Sequence, residues 1–338
     1  MPRPARPDGR STASEATPGL PSLAAPTGDR CPAPAAGTVV SVVRAYQSER
    51  NERWEGFEHR TGDIVVSTRS KCGTTWMQMI CLLLVHQTTP LPASLAELSP
   101  WLDWDVEPIE AVCERLAGQD HRRVIKTHTP LDGIPLDDRV MYVVVARHPL
   151  DVAVSLFHHA RNIDRERLVE LSGKPAVAGS ALHMSEEAWM DHWLSDRTDP
   201  LVQLDTLPGN LHHVADAWGH AGFEDNVILV HYEDLEADLA GSMRRLAGRL
   251  DLEVPEHRWT ALVDAATFDA MRRDAARSVP DRLGVVRDAE RFFRSGRSGD
   301  GRRACTADQL RRYEARAADL AEPDVLAWLH RTGARSTA

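Results

Sequence analysis

Lys71, Gly73, Thr74 and Thr75 sit close together in the stretch DIVVSTRSKCGTTWMQMICLLLV, residues 63–85. An apolar run on each side of this short polar loop predicts a strand feeding a helix across a tight turn. Backbone N–H groups of Cys72, Gly73, Thr74 and Thr75 would then converge on one anion at the helix N-terminus. Gly73 would permit close approach and Lys71 would add charge. An ordinary capped turn uses the same residue types without any ligand. The loop also lacks the Gly, four residues, Gly-Lys-Ser/Thr order of nucleoside-triphosphate binders, so these residues leave the anion open.

Further along, KTHTP places Lys126 and His128 two residues apart. In an extended segment alternate side chains share a side, so both would face one reacting centre. Histidine titrates near neutrality and takes a proton from a hydroxyl, while lysine stabilises charge developing on a leaving oxygen. A solvated lysine and a structural histidine are the plain alternative. In ARHPLDVAVS, Arg147 is expected at the end of a buried strand and Ser155 two turns into the next helix. Together they suit a phosphate, with an Arg147–Asp151 ion pair as the structural alternative. RFFRSGRSGDGRR gathers Arg291, Arg294, Arg297, Arg302 and Arg303 around three glycines. It would close over a second phosphate or simply be a solvated charged loop. The histidines of FHHAR and NLHHVADAWGH lack an HExxH arrangement or convergent carboxylates, so no metal site is expected.

The elements that must position these groups are legible from hydrophobic pattern. Strands are expected at DIVVSTRS, at 124–126, over 140–145 and in an apolar run ending at residue 230. Helices are expected at TTWMQMICLLLVHQ, from near Pro149, and over 235–250. Fully apolar strands alternating with helices predict an α/β fold: one domain, a central parallel sheet flanked by helices, with a P-loop-like strand-loop-helix turn. Ligands in such folds sit at the carboxyl ends of the strands, where every polar cluster above falls. The segment TVVSVVRAYQSERNERWEGFEHRTG reads as a helix or as a strand and a helix. Residues 161–185 and 272–301 read as long functional loops.

Composition narrows the class. The 338 residues carry 40 Lys and Arg against 50 Asp and Glu, a formal net charge of −10, which argues against a broad nucleic-acid or anionic-lipid surface. Positive charge that binds an anion must then be local. Cys31, Cys72, Cys81, Cys113 and Cys305 are scattered, with no CxxC pair, so neither a disulfide framework nor a zinc site is signalled and a reducing cytoplasm suits them. No apolar stretch reaches the ~18 residues of a membrane span. Residues 1–38, rich in Pro and Ala, read as a disordered tail, residues 39–332 as the folded unit, and 333–338 as a second tail.

In order and identity, these clusters resemble the cytosolic-type sulfotransferases, which use 3'-phosphoadenosine-5'-phosphosulfate (PAPS). The resemblance covers residues 64–301. KCGTTW is similar to the family's 5'-phosphosulfate loop, usually K-S-G-T-T-W, with Cys72 for serine. IKTHTPLDGIP resembles its K-T-H-L-P segment, which carries the family's catalytic lysine and histidine. VVVARHPLDVAVSLFHH resembles its 3'-phosphate segment R-x-P-x-D-x-x-x-S at Arg147, Pro149, Asp151 and Ser155. VILVHYEDL brings Tyr232 to a nucleotide-contacting position. ATFDAM and FFRSG resemble the last nucleotide segments, at Thr267, Phe268 and Met271, and at Phe292, Phe293, Arg294, Ser295 and Gly296.

The resemblance implies sulfuryl transfer to a hydroxyl or amine of a small, partly hydrophobic acceptor, leaving adenosine 3',5'-bisphosphate (PAP). His128 would act as base, and Lys126 and Lys71 would stabilise charge. Cys72, Gly73, Thr74 and Thr75 would hold the 5' end, and Arg147, Ser155 and Arg294 the 3'-phosphate. Trp76 and Phe268 would sandwich adenine, without a metal. Acceptor walls are expected around Phe57, over 90–106 with Trp101 and Trp104, over 157–161 and over 272–291. The chain departs from the family at Ser295, where lysine is usual, and at Gly301, where tryptophan is usual. Near Thr306 it lacks the valine and glutamate of the animal enzymes' dimer motif, leaving the oligomeric state open. A P-loop small-molecule kinase and a catalytically silent nucleotide binder remain as alternatives.

Overall fold

The computed structural model describes residues 43–174 and 182–331. Both expected tails, residues 1–38 and 333–338, lie outside the described residues. Four short strands form the sheet: β1 (Ile64–Ser67), β2 (Val124–Thr127), β3 (Met141–Ala146) and β4 (Val227–His231). All neighbouring pairs are parallel and the order is β2-β1-β3-β4. Ile64 pairs with Val124 on one side and Met141 on the other. After β1 the chain moves outward to β2, and after β3 it moves outward to β4 on the opposite side. The crevice between the carboxyl ends of β1 and β3 is thus the topological switch point, where ligands of open α/β sheets bind.

Both sheet faces are covered, and alternation along the strands divides the core. Ile64, Val66, Val143 and Val145 pack toward helix α1 (Thr74–His86), whereas Val65, Ile125, Tyr142 and Val144 pack toward Trp54, Leu102 and Ile109. The period of two places β-branched residues on each face, which explains the unbroken apolar runs in sequence. In α1, Met77, Ile80, Cys81, Leu82, Leu83 and Leu84 are fully enclosed. A helix buried nearly all round needs no polar stripe.

The structure corrects the reading in several places. Residues 235–250 are two helices, Tyr232–Ala237 and Leu239–Arg249, because Asp238 breaks the run and its side chain accepts the N–H of Gly241 to cap the second. The described part of the segment before β1 has only a 3-10 turn, Asn51–Trp54. The expected 161–185 loop contains a helix, Arg165–Ser172. Cys113 is disulfide-bonded, against the expectation of unbridged cysteines, while Cys72, Cys81 and Cys305 are free thiols. Sequence spacing carries no information on which thiols the fold brings near one another. Thr306 forms a capping box with Gln309 at the helix Ala307–Leu320. Among the described residues, no helix is long and apolar enough to cross a membrane.

Gly301 has a packing reason. The helix Asp300–Ala304 lies against Pro149–Arg161, and a Cβ at Gly301 would stand 2.1 Å from the Leu150 carbonyl carbon. Backbone cannot yield as a side chain does, so the usual tryptophan has no room. Gly301→Ala is expected to cost about 1–3 kcal/mol. A thermal unfolding midpoint equal to that of the parent chain would refute this.

Candidate functional site

The loop after β1 turns sharply. Lys71 has φ 68° and Gly73 φ 107°, and a Cβ on Gly73 would lie 2.9 Å from the Tyr232 ring. Only glycine allows both that backbone and that contact. No side chain caps α1, whose first N–H groups are left for another acceptor. The hydroxyls of Thr68 and Thr74 share a short hydrogen bond beneath the loop. Cys72 is buried and its sulfur accepts from Asn210 Nδ2 at 3.4 Å.

Beside this loop, β2 delivers Lys126 and β3 delivers Arg147. Lys71, Gly73, Thr74, Thr75, Trp76, Lys126, His128, Arg147, Ser155, Tyr232, Phe268, Met271, Phe292, Phe293, Arg294, Ser295 and Gly296 all line one cavity of about 340 Å³. Of the residues expected at the site, Cys72 and Thr267 do not line it. Cys72 lies under the loop, and the Thr267 hydroxyl caps the helix Phe268–Arg273 by accepting from the Ala270 N–H at 3.2 Å.

Burial sets the electrostatics. Lys126 is brought down to about 7 by burial first and then by the charge of Lys71. Lys71 falls to about 8 through burial, helped by Arg147. Each ammonium rests on an aromatic face, Lys126 on Trp101 at 3.7 Å and Lys71 on Phe292 at 4.3 Å. Burial, then Lys126 and Arg69, hold His128 well below the usual imidazole range. Its Nδ1 bonds the Thr68 carbonyl. A carbonyl only accepts, so Nδ1 carries the proton and Nε2 is left as the acceptor. The imidazole is edge-on to Trp101, with centroids 4.6 Å apart.

Arg147 is 6% exposed and makes no ion pair with Asp151. Its Nη2 donates to the Arg297 carbonyl at 2.9 Å, its guanidinium covers the Tyr232 ring at 4.3 Å, and its Nε is buried without a partner. Asp151 instead accepts from the N–H groups of Gly299 and Gly301 at 2.9 and 2.7 Å. Asp300 gathers Arg294 and the Ser295 hydroxyl at 2.6 and 2.7 Å. Although burial opposes it, bonds from Ser295, Arg303 and Arg294 hold the Asp300 carboxyl down to about 2. The Trp76 indole donates to the Ala266 carbonyl at 2.8 Å and meets Tyr232 edge-on. With a cavity lined by four cations and lacking an equal number of carboxylates, the site suits an anionic ligand.

A family model described as "Sulfotransferase domain" matches residues 61–327. The chain belongs to the sulfotransferase family. It is therefore a transferase. This sulfotransferase is 40% identical over 310 residues to a glycolipid sulfotransferase of Mycobacterium bovis (strain BCG / Pasteur 1173P2), covering 86% of this chain and 94% of the relative. A glycolipid sulfotransferase of Mycobacterium tuberculosis (strain ATCC 25177 / H37Ra) is likewise 40% identical, with the same coverage. Retinol dehydratase in a complex with retinol and PAP shares the fold, with TM-score 0.62 and 23% identity over 79% of this chain and 83% of that one. A mouse sulfotransferase complexed with PAP gives TM-score 0.59 and 20% identity over 82% and 91%.

The acceptor side of the cavity was partly legible. Trp101, Trp104, His159, Val279, Pro280, Asp281, Val285 and Val286 line it as expected, but Phe57 does not; it packs on Trp54 and His59 in the core instead. Ile163, Leu168 and Asp205 line the cavity and were not foreseen. Ile163 and Val286 form an antiparallel bridge, and Asp164 N–H donates to the Val285 carbonyl at 2.7 Å. Two segments distant in sequence thus zip into one wall, a pairing that no local pattern announces.

Proposed function

We propose that this sulfotransferase moves a sulfuryl group from PAPS to a hydroxyl, or an amine, of a small and partly hydrophobic acceptor. The observation that carries this is the single cavity joining the Lys71–Thr75 loop, Lys126, His128 and Arg147. In this reading the acceptor O–H gives its proton to His128 Nε2 as its oxygen forms a bond to sulfur. The bond from sulfur to the bridging phosphate oxygen breaks, and PAP leaves with the electron pair. Lys71 and Lys126 stabilise that charge, and the first N–H groups of α1 orient the 5' end. Arg147, Ser155 and Arg294 hold the 3'-phosphate, and Trp76 with Phe268 holds adenine. Residues 39–332 form the transferase unit. The relatives named glycolipid sulfotransferases support an amphiphilic acceptor. Free thiols at Cys72, Cys81 and Cys305 support a reducing, cytoplasmic setting, and the bridged Cys113 argues the other way. A small-molecule kinase is disfavoured by the family match.

Calorimetric titration with PAP, beside adenosine triphosphate with magnesium, tests this reading and carries a pH signature. Lys126 near 7 and Lys71 near 8 are partly neutral at pH 8, and a bound polyanion raises both. PAP binding at pH 8 should therefore take up about one proton, and affinity should fall as pH rises above 7. Comparing buffers of different ionisation enthalpy measures the uptake, which should be smaller at pH 7, where both lysines hold more of their protons before binding. Preference for the triphosphate, or binding of neither nucleotide, would overturn the assignment.

A further inference from the structure

A second chamber of about 240 Å³ opens beside the main cavity and shares Ser70, Trp101, Trp104, His128 and Asp205 with it. His128 thus stands where the two meet. The chamber differs in chemistry from its neighbour, since Glu49, Asp103, Asp105 and Gln203 line it; its Arg50 bonds Glu52, and Asp105 pairs with Lys174. Arg69 lies almost fully buried behind it and pairs with Glu49 and Asp205 at 3.0 and 2.6 Å. Trp104 stacks parallel on Trp101, with centroids 5.1 Å apart and planes 6° apart, making a flat wall that runs outward from His128. On the other side of His128 the main cavity offers an apolar strip that includes Ile163, Leu168, Val285 and Val286.

These features are unlike a uniformly apolar ligand slot. A carboxylate has about four lone-pair sites, so Asp205, with one oxygen taken by Arg69, still has capacity to accept hydroxyl donors. A flat indole face with a rim of acceptors matches a sugar ring, whose C–H face is apolar and whose edge is hydroxyls.

We propose that the acceptor spans both chambers, a glycosyl head lying against Trp104, Asp105 and Gln203 and a hydrocarbon portion along Leu168 and Val286. The hydroxyl to be modified then lies at the junction, within reach of His128. The proposal rests on the sulfuryl-transfer reading and adds to it the seating of the acceptor.

The test is calorimetric binding to the PAP-loaded protein of octyl glucoside below its micelle concentration and of octanol. The glucoside should bind more tightly than octanol. Gln203→Ala and Asp105→Asn, both at solvent-accessible positions, should weaken glucoside binding about 5- to 10-fold, as expected for one lost hydrogen bond, while octanol moves less than about 2-fold. PAP affinity should be unchanged in both variants. Glucoside binding no tighter than octanol, or equal losses for both ligands, would overturn the two-chamber seating while leaving sulfuryl transfer intact. Failure of PAP itself to bind would bring down the transferase reading and this one with it.

Discussion

Replacing His128 with alanine is expected to lower kcat by about 100- to 10,000-fold, the contribution of a positioned general base. The ring is buried, its Nδ1 proton is committed to the Thr68 carbonyl, and Trp101 fixes its edge. PAP affinity should stay within a few-fold, because the phosphate-facing groups belong to other segments. Since burial keeps the imidazole neutral well below pH 6.5, the wild-type rate should not fall as pH drops through that value, as it would with an ordinary histidine base. Single-turnover rates on PAPS-loaded protein measure both effects. A variant turning over within a few-fold of wild type would mean that the base lies elsewhere, with the cavity-lining His159 next to be replaced.

The second large effect is expected at Arg147. Removing its guanidinium should weaken PAP binding by about 30- to 5,000-fold, since a buried charged partner of a phosphate is typically worth ~2–5 kcal/mol. Its Nε is buried without a partner, a donor that a 3'-phosphate would take up. Arg147 also bonds the Arg297 carbonyl, so part of any loss would come from the loop around Arg297. Arg147→Lys separates the two causes: it keeps the charge without the fork and should recover only part of the affinity. Equal binding by the wild type and the alanine variant, at an unchanged melting midpoint, would remove Arg147 from the phosphate site.

The strands, their parallel arrangement and the strand-loop-helix turn were legible because each is written locally. An apolar run of strand length, a glycine at a sharp turn and a proline at a first helical position act over a few residues. The ordered family segments extended that reading to residues far apart in sequence, from Lys71 to Gly296, most of which meet in one cavity. The split at Asp238 was missed because a capping aspartate interrupts an otherwise continuous amphipathic pattern without changing its hydrophobic content. Thr267 caps a helix and does not line the cavity, since threonine suits both tasks and only the surrounding chain selects one.

By itself, then, the sequence determined the α/β class, the family and the short segments from which a phosphosulfate site would be built. Periodicity, turn chemistry and residue identity are properties of the chain taken a few residues at a time. Tertiary structure decided how deeply Lys71, Lys126 and His128 are buried, and therefore how far their proton affinities fall. It also decided that Gly301 sits against the Leu150 backbone, that Phe57 serves the core, and that Ile163 meets Val286 across the acceptor wall. Desolvation and long-range packing depend on what the rest of the molecule places nearby, and no local stretch of sequence contains that information.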